Sequence, residues 1–266
     1  MGIRLNNFLA TKVRPVELAL LAKKVLGIKR RLFTLDNGSV YYLDPVSDLG
    51  MRLMNKEIYE PEMANTIIDI LKKDDTFIDL GSNEGYFTVL ASKLCGTKGK
   101  VFSIEPQSRL WDLITRNCVA NSLTNVTLIP YGIGSKNEEL TMNLYPGLNT
   151  GASTFSSNFN FRVSFRAIRK LFYKTEQIKI TTLDDLIDVL PGKVKLLKVD
   201  IEGFELEAMK GAKKMLEQKI CDNILVELHH QALAGMNQSV EELDTLIKGY
   251  GYKSKVICSN LTLYSL

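Results

Sequence analysis

The sequence predicts an α/β protein with a seven-stranded, mostly parallel sheet that is closed by a C-terminal antiparallel hairpin. Short apolar runs alternate with helical patterns along most of the chain, as in β-α-β units. A glycine-containing turn at residues 81–85 follows the first of these runs and opens a helix. The last two runs, 252–257 and 261–266, leave no room for a helix between them, so they are predicted to pair as a hairpin.

The N-terminal residues 1–60 are predicted to form a helical and β-hairpin extension. Residues 16–26 follow an amphipathic helical pattern, and two β-patterned runs flank Asp36-Asn37-Gly38, a sequence typical of hairpin turns. The helix and the basic residues after it, within 14–31, have two interpretations: a packing or dimerisation helix with a solvated face, or a peripheral contact with an anionic membrane.

Residues 61–266 are predicted to form the main domain, in which strands and helices alternate after an initial helix at residues 60–73. The predicted strands are 76–80, 100–105, 126–131, 194–200 and 223–228, and the predicted helices are 86–94, 108–120, 204–218 and 239–248. Such units require a parallel sheet with helices on both faces.

An insertion at residues 132–182 interrupts the alternation. Two runs within it, 139–145 and 177–182, are patterned as strands. The segment between them, 146–176, is rich in aromatic and basic residues: Phe155, Phe159, Phe161, Phe165, Phe172, Tyr173, Arg162, Arg166, Arg169 and Lys170. It is interpreted either as a lid over a substrate or as a loop that packs on the body.

Composition places the chain among ordinary globular proteins, with 45% hydrophobic and 24% charged residues in 266. The net charge of +4 is mild, and no nucleic-acid partner is expected. The four cysteines are far apart and lack zinc-ligand spacing, which favours free thiols in a reducing, cytoplasmic setting. No run is long enough to span a membrane, and the apolar run near the N-terminus is too short for a cleavable signal.

The turn after the first strand is typical of a nucleoside site. Gly81 and Gly85 allow close approach of a ligand, and Glu105 ends the second strand, where a carboxylate can accept hydrogen bonds from both ribose hydroxyls. Asn83 stands where nicotinamide-binding loops have a glycine, so a cofactor without a diphosphate fits better. S-adenosylmethionine is such a cofactor, and Asp79 and Glu84 are candidates for its ammonium group.

A second group of polar residues follows later strands. Asp200, Glu202 and Glu205 come after the strand at 194–200, and the next strand ends near Glu227 and His229. The carboxyl ends of parallel strands are where ligands bind in open α/β sheets, so the strands of Asp79 and Asp200 are expected to be neighbours. His229, His230 or a carboxylate can act as a general base; a divalent metal is the alternative, although no metal is predicted.

Together these residues resemble the FkbM family of S-adenosylmethionine-dependent methyltransferases, over about residues 38–230. The matching motifs are Asp79-Leu-Gly-Ser-Asn-Glu-Gly-Tyr-Phe-Thr88, Glu105-Pro106, Lys198-Val-Asp-Ile-Glu-Gly-Phe-Glu205 and Glu227-Leu-His229. Tyr59-Glu60-Pro61 and Thr182-Leu-Asp184 are also similar to the family's sequences.

The resemblance implies a Rossmann-like fold and O-methylation of a sugar, glycan or natural-product hydroxyl. The residues expected to hold the donor are Asp79, Gly81, Ser82, Asn83, Gly85, Tyr86, Glu105, Pro106 and Asp200. Asp200 or His229 is expected to be the base, with Glu202 and Glu227 orienting the acceptor. The alternatives are a nicotinamide-dependent oxidoreductase and a donor-binding or membrane-associated protein without turnover. The sequence gives no oligomeric state.

Overall fold

The computed structural model describes residues 3–13, 16–146, 153, 155, 173–190 and 192–266. Its N-terminal elements are α1 (Ile3–Thr11), α2 (Val16–Val25), the hairpin strands β1 (Arg31–Thr34) and β2 (Val40–Leu43), and α3 (Asp48–Met54). The predicted helix and hairpin are confirmed. The sequence analysis missed α1 and α3, and α3 begins where the Ser47 hydroxyl accepts the backbone N–H of Gly50 at 3.0 Å.

The alternating core begins with α4 and runs to the C-terminus. Its strands and helices are α4 (Pro61–Ile70), β3 (Thr76–Leu80), α5 (Tyr86–Cys95), β4 (Lys100–Ile104), α6 (Ser108–Ala120), β5 (Val126–Ile129), β6 (Gly132–Ile133), β7 (Glu138–Leu144), β8 (Lys174–Thr181), a 3₁₀ helix (Asp184–Val189), β9 (Val194–Val199), α7 (Glu205–Lys210), α8 (Lys213–Glu217), β10 (Cys221–Glu227), α9 (His230–Gly235), α10 (Val240–Gly249), β11 (Lys253–Cys258) and β12 (Leu261–Ser265).

The central sheet has seven strands in the order β11-β12-β10-β9-β3-β4-β5. Strands β10, β9, β3, β4 and β5 are mutually parallel, and β12 pairs antiparallel with both β10 and β11. The predicted fold class is therefore confirmed, including the C-terminal hairpin. The central strands β3 and β9 are buried along almost their whole length because helices cover both faces of a parallel sheet.

A smaller three-stranded sheet, in the order β6-β8-β7, lies within the predicted insertion. The two strands expected there are confirmed, and they pair antiparallel from Glu138–Ile180 to Leu144–Lys174. Most of the predicted aromatic and basic segment lies outside the described residues: Phe159, Phe161, Phe165, Phe172, Arg162, Arg166, Arg169 and Lys170.

The single helix predicted at residues 204–218 is wrong, since the chain forms α7 and α8 with a break at Gly211. A Cβ at Gly211 would lie 2.0 Å from the carbonyl oxygen of Gly134, so the glycine lets this segment pack against the β6 end of the small sheet. Helical periodicity continues through the break, and only the long-range contact shows why the helix stops.

Helix α10 begins with a capping box, in which Ser239 and Glu242 exchange two hydrogen bonds between side chain and backbone. Among the described residues, no helix has the length and apolar character needed to cross a bilayer.

Candidate active site

Three neighbouring strands bring the predicted polar residues to one edge of the central sheet. Strand β9 lies between β3 and β10, and Val199 is the register partner of both Leu80 and Val226. Asp200, which follows Val199, therefore lies beside Gly81 on one side and beside Glu227 on the other. The expectation that the strands of Asp79 and Asp200 are neighbours is confirmed.

Gly81 allows the turn after β3 to lie against the end of β9. Its φ is +80°, and a Cβ at this position would lie 1.9 Å from the carbonyl oxygen of Asp200. Any other residue would both strain the backbone and separate the two strand ends. The two halves of the site are thus held together by a backbone contact.

Glu105 is a buried carboxylate at the end of β4, with 2% of its surface exposed. Its Oε2 accepts the backbone N–H of Asn83 at 2.8 Å, and its Oε1 accepts that of Gln107 at 2.9 Å. Burial raises the pKa of Glu105 to about 7, although both N–H groups act in the opposite direction. Each oxygen has a second acceptor position, so the carboxylate can also bind a pair of vicinal hydroxyls.

A cavity lies at this edge of the sheet. One wall contains the predicted donor residues Gly81, Asn83, Glu105 and Pro106, and the other contains Asp200, Glu202, Glu227 and His229. Ser153 and Phe155, the two residues described between positions 147 and 172, also line it. A nucleoside-bearing donor and an acceptor group can therefore meet within one cavity.

Four of the expected donor residues lie behind this wall. Asp79 accepts the Thr88 hydroxyl at 2.7 Å, and Ser82 accepts the Ser103 hydroxyl at 2.8 Å. Gly85 is the N-cap of α5, and the ring of Tyr86 packs against those of Tyr41 and Tyr59. These positions fix the shape of the loop and do not line the cavity.

Glu84 is already engaged by another residue, so the expectation that it receives the donor's ammonium group is wrong. The Arg30 guanidinium donates to both of its carboxylate oxygens, at 2.7 and 2.8 Å, and only 3% of the Glu84 side chain is exposed. Arg30 is 54 residues away in the chain, so the sequence alone gave no reason to pair them.

Glu60 is a site residue that the sequence analysis did not assign. It lines the cavity in a left-handed conformation with φ 44°, and its Oε2 is buried without a hydrogen-bond partner in the described part of the chain. Burial and the charges of Asp200 and Glu227 raise the pKa of Glu60 to about 7. The Tyr59-Glu60-Pro61 motif was the available indication, but it lies before the first core strand.

Lys198 is the buried cation of the site, with 1% of its side chain exposed. Its Nζ lies 3.2 Å from both Asp79 and Asp200 and donates to the carbonyl oxygen of Gly81 at 3.1 Å. Burial alone would lower the pKa of Lys198, but the nearby carboxylates of Asp200, Asp79 and Glu60 raise it. This charge offsets part of the acidity of the edge and links Asp200 to the donor loop.

His229 lies among three carboxylates. Its Nδ1 is 2.7 Å from Oε1 of Glu205, and its Nε2 is 3.5 Å from Glu202 and 3.8 Å from Asp200. Burial alone would lower the pKa of His229, but the hydrogen bond with Glu205 and the charges of Asp200, Glu205 and Glu202 outweigh it and raise the pKa to about 10. At neutral pH the ring is an imidazolium, which donates protons and does not accept them.

Glu202 also has a changed protonation equilibrium. Burial raises its pKa to about 8, with Asp200, Glu227 and Glu205 adding to the shift and the charge of His229 opposing it. At pH 7 its carboxyl group is mostly protonated and can donate a hydrogen bond. The pKa of Glu227 is raised as well, by burial and by the charge of Asp200.

Among the residues that the structure describes, one group of side chains in the site could hold a divalent metal. One ligand atom each from Asp200, Glu227 and His229 lie within 4.8 Å of one another. A metal at His229 would have to displace the proton that the surrounding carboxylates stabilise. The cavity also fits an uncomplexed nucleoside with an ammonium group, because its lining includes the Glu105 carboxylate and Glu60, one oxygen of which is buried without a hydrogen-bond partner among the described residues.

The family profile described as "Methyltransferase FkbM domain" matches residues 79–254. A second profile, "Protein-L-isoaspartate(D-aspartate) O-methyltransferase", matches residues 14–136. The first covers more than half of the chain and includes every strand of the central sheet from β4 to β10.

Curated proteins with similar sequences are named methyltransferases. "Methyltransferase 1" of Beauveria bassiana is 25% identical over 213 residues, which cover 76% of this chain and 83% of that protein. "Hexuronic acid methyltransferase AglP" of Haloferax volcanii is 28% identical over 175 residues, covering 64% of this chain and 62% of that protein. "Methyltransferase sdnD" of Sordaria araneosa is 28% identical over 218 residues, which cover 74% of this chain and 82% of that protein.

Among solved structures, Methyltransferase FkbM from Methylobacillus flagellatus KT superposes with a TM-score of 0.50 and 16% identity. The superposition covers 99% of this chain and 58% of that one. At this identity the similarity shows a shared fold.

Proposed function

The chain belongs to the FkbM family of methyltransferases and uses S-adenosylmethionine as its methyl donor, and from this premise we propose that it methylates a hydroxyl group of a sugar, glycan or natural-product-like small molecule. The observation that supports a hydroxyl acceptor is the acidic edge formed by Asp200, Glu202 and Glu227 beside the donor loop. A hexuronic acid methyltransferase among the relatives supports a sugar, although the chain spans only 62% of that protein. The nicotinamide-dependent oxidoreductase and the protein without turnover are not retained.

In this proposal the donor half of the cavity is built from backbone and carboxylate groups. Glu105 accepts the ribose hydroxyls with the acceptor positions that Asn83 and Gln107 leave open. The buried oxygen of Glu60 receives the α-ammonium group, which gives that oxygen the partner it lacks. Bound there, S-adenosylmethionine supplies a methyl group that its sulfonium already activates.

Asp200 is the proposed general base. Its two oxygens face Lys198 at 3.2 Å and His229 at 3.8 Å, and it lines the cavity beside Gly81. As the acceptor oxygen bonds to the methyl carbon, the methyl–sulfur bond breaks and S-adenosylhomocysteine leaves, while the hydroxyl proton passes to the Asp200 carboxylate. His229 is the less suitable base, because its ring already has both protons at neutral pH.

The remaining acids orient the acceptor. Glu202, with its pKa near 8, donates a hydrogen bond as a neutral acid at pH 7, whereas a carboxyl oxygen of Glu227 accepts one. Two such groups fix the acceptor on both sides of the reacting oxygen. Alignment of this kind can contribute about 7–11 kcal/mol to lowering a barrier between two bound reactants.

The test is methyl transfer to uronic acids and to the matching hexoses, followed by mass spectrometry of the products. We expect Asp200→Asn to lower the transfer rate about 10²- to 10⁴-fold, while calorimetry still detects donor binding. Asp222→Asn is the matched control, because Asp222 also pairs with a lysine at 3.2 Å but lies at the start of β10. Turnover of Asp200→Asn at the wild-type rate would refute Asp200 as the base, and no transfer to any hydroxyl compound would refute the acceptor class.

A further inference from the structure

Helix α2 presents a stripe of exposed apolar side chains. Leu18, Leu21 and Val25 are 46%, 51% and 78% exposed, and their spacing places them on one side of the helix. The opposite side packs inward through Ala19, which is fully buried in a cluster with Leu9 and Val46. The helix is therefore fixed to the protein by one face and leaves the other apolar face open.

The charge of the chain is concentrated around this helix. Residues 1–34 contain eight lysines and arginines and a single acid, Glu17, whereas the rest of the chain has three more acids than bases. Glu17 is 2% exposed, so it adds little negative charge to this surface. The N-terminal segment thus has a net charge of +7 in a protein whose total is +4.

Among the cations whose side chains the structure describes, two form ion pairs inside the protein and four are exposed. Lys23 pairs with Asp44, and Arg30 pairs with Glu84. The exposed ones are Lys12, Lys24, Lys29 and Arg31. Lys24 lies beside Val25 on α2, so positive charge and open apolar surface occur together.

We propose that the open face of α2 docks on an anionic membrane surface. An amphipathic helix with basic residues along its apolar stripe lies in the plane of such a surface, with its apolar side chains below the headgroups. A second copy of the chain is a poorer occupant, because a two-fold interface would bring two segments of charge +7 together. The phospholipid headgroups supply the negative charge that the segment lacks.

The N-terminal segment that includes α2 contacts elements that line or support the cavity. Helix α1 packs on α3, whose Asp48 lines the cavity, and Arg30 holds Glu84 in the donor loop. Docking does not depend on the methyl acceptor, so the two proposals can fail separately.

The test is flotation of the 266-residue protein with vesicles of phosphatidylcholine containing 30% phosphatidylglycerol, a composition of about one anionic lipid in three. Vesicles of phosphatidylcholine alone are the lipid control. We expect binding to the anionic vesicles only, and weaker binding at higher salt. Lys24→Gln and Lys29→Gln should each lower the partition coefficient about fivefold.

The apolar contribution is tested with Val25→Ser. Its matched control is Val119→Ser, since Val119 is also a valine near the C-terminal end of a helix and is 71% exposed. We expect Val25→Ser to weaken flotation and Val119→Ser to leave it unchanged. The proposal is overturned if the protein does not bind the anionic vesicles, or if the Val25→Ser and Val119→Ser variants bind these vesicles equally well. It is also overturned if ultracentrifugation shows a dimer that Val25→Ser dissociates.

Discussion

Nδ1 of His229 lies 2.7 Å from Oε1 of Glu205, and the Glu205 side chain is completely buried at the start of α7. The same Oε1 accepts the backbone N–H of Gly203 at 2.9 Å. The carboxylate therefore fixes the orientation of the imidazole and directs Nε2 toward Asp200 and Glu202. This pair is the reason that His229 is a cation at the edge where a neutral base was expected from sequence.

The protonation of His229 can be measured directly, because the chain has only two histidines. We predict that NMR titration shows one ring, absent from a His229→Gln variant, that keeps its proton beyond pH 8, since its pKa is raised to about 10. Glu205→Gln should lower that pKa by about one unit or more, because it removes the hydrogen-bonded charge.

Glu207→Gln is the control for this titration, since Glu207 lies on the same helix but bonds Ser135, Lys210 and Gln238. It should leave the His229 titration unchanged. A His229 pKa near the ordinary value in the wild-type protein would contradict the assignment of the ring as an imidazolium.

Donor binding should depend on pH through Glu105. Its pKa is raised to about 7, and ribose hydroxyls bind the ionised carboxylate, so affinity for S-adenosylhomocysteine is predicted to increase as pH rises from 6 to 8. Glu105→Gln should make that dependence shallower, leaving the part due to Glu60, whose pKa is also raised to about 7, and should weaken binding about ten- to a hundredfold, the effect of losing hydrogen bonds to a charge. Calorimetry at several pH values measures both effects, and an unchanged pH profile in the variant would contradict them.

The Arg30–Glu84 pair should stabilise the donor loop. Arg30→Ala leaves a carboxylate that is 3% exposed without its partner, so we predict a loss of about 3 kcal/mol in the free energy of unfolding. Arg52→Ala is the matched control, because the side chains of Arg52 and Asp48 are each more than 40% exposed. Such a surface pair should contribute less than about 1 kcal/mol to the free energy of unfolding.

A double-mutant cycle then separates the pair from its surroundings. Adding Glu84→Gln to Arg30→Ala should recover much of the lost stability in urea denaturation, since it removes the unpaired charge. Equal losses for Arg30→Ala and Arg52→Ala would show that the buried pair is no stronger than a surface pair.

Methyl transfer is predicted to be unaffected by metal removal. A metal at Asp200, Glu227 and His229 would need the neutral imidazole, and the carboxylates around the ring stabilise its protonated form. Dialysis against EDTA followed by assay should leave the rate unchanged. A lost rate that Mg²⁺ or Mn²⁺ restores would establish a metal at this edge.

Local sequence patterns were sufficient to predict where the central strands end. Gly81, Glu105 and Asp200 each follow an apolar run, and parallel strands place their carboxyl ends at one edge, so the site could be located without coordinates. The same reasoning predicted the C-terminal hairpin from the short distance between its two runs.

Residues from distant segments could not be predicted in this way. Glu60 and Asp48 reach the cavity from before the first core strand, and the break at Gly211 depends on the carbonyl of Gly134. Spacing along the chain has no information about such contacts, because they arise only when separate elements pack together.

The sequence by itself determined the alternating order of the central strands, the edge of the sheet at which the candidate site residues gather, and the class of donor. Only the tertiary structure decided which of those side chains are available. It paired Glu84 with Arg30, placed Lys198 between Asp79 and Asp200, and made His229 a cation. The physical reason is that periodicity and turn chemistry are local, whereas charge pairing and burial depend on every element that surrounds a group.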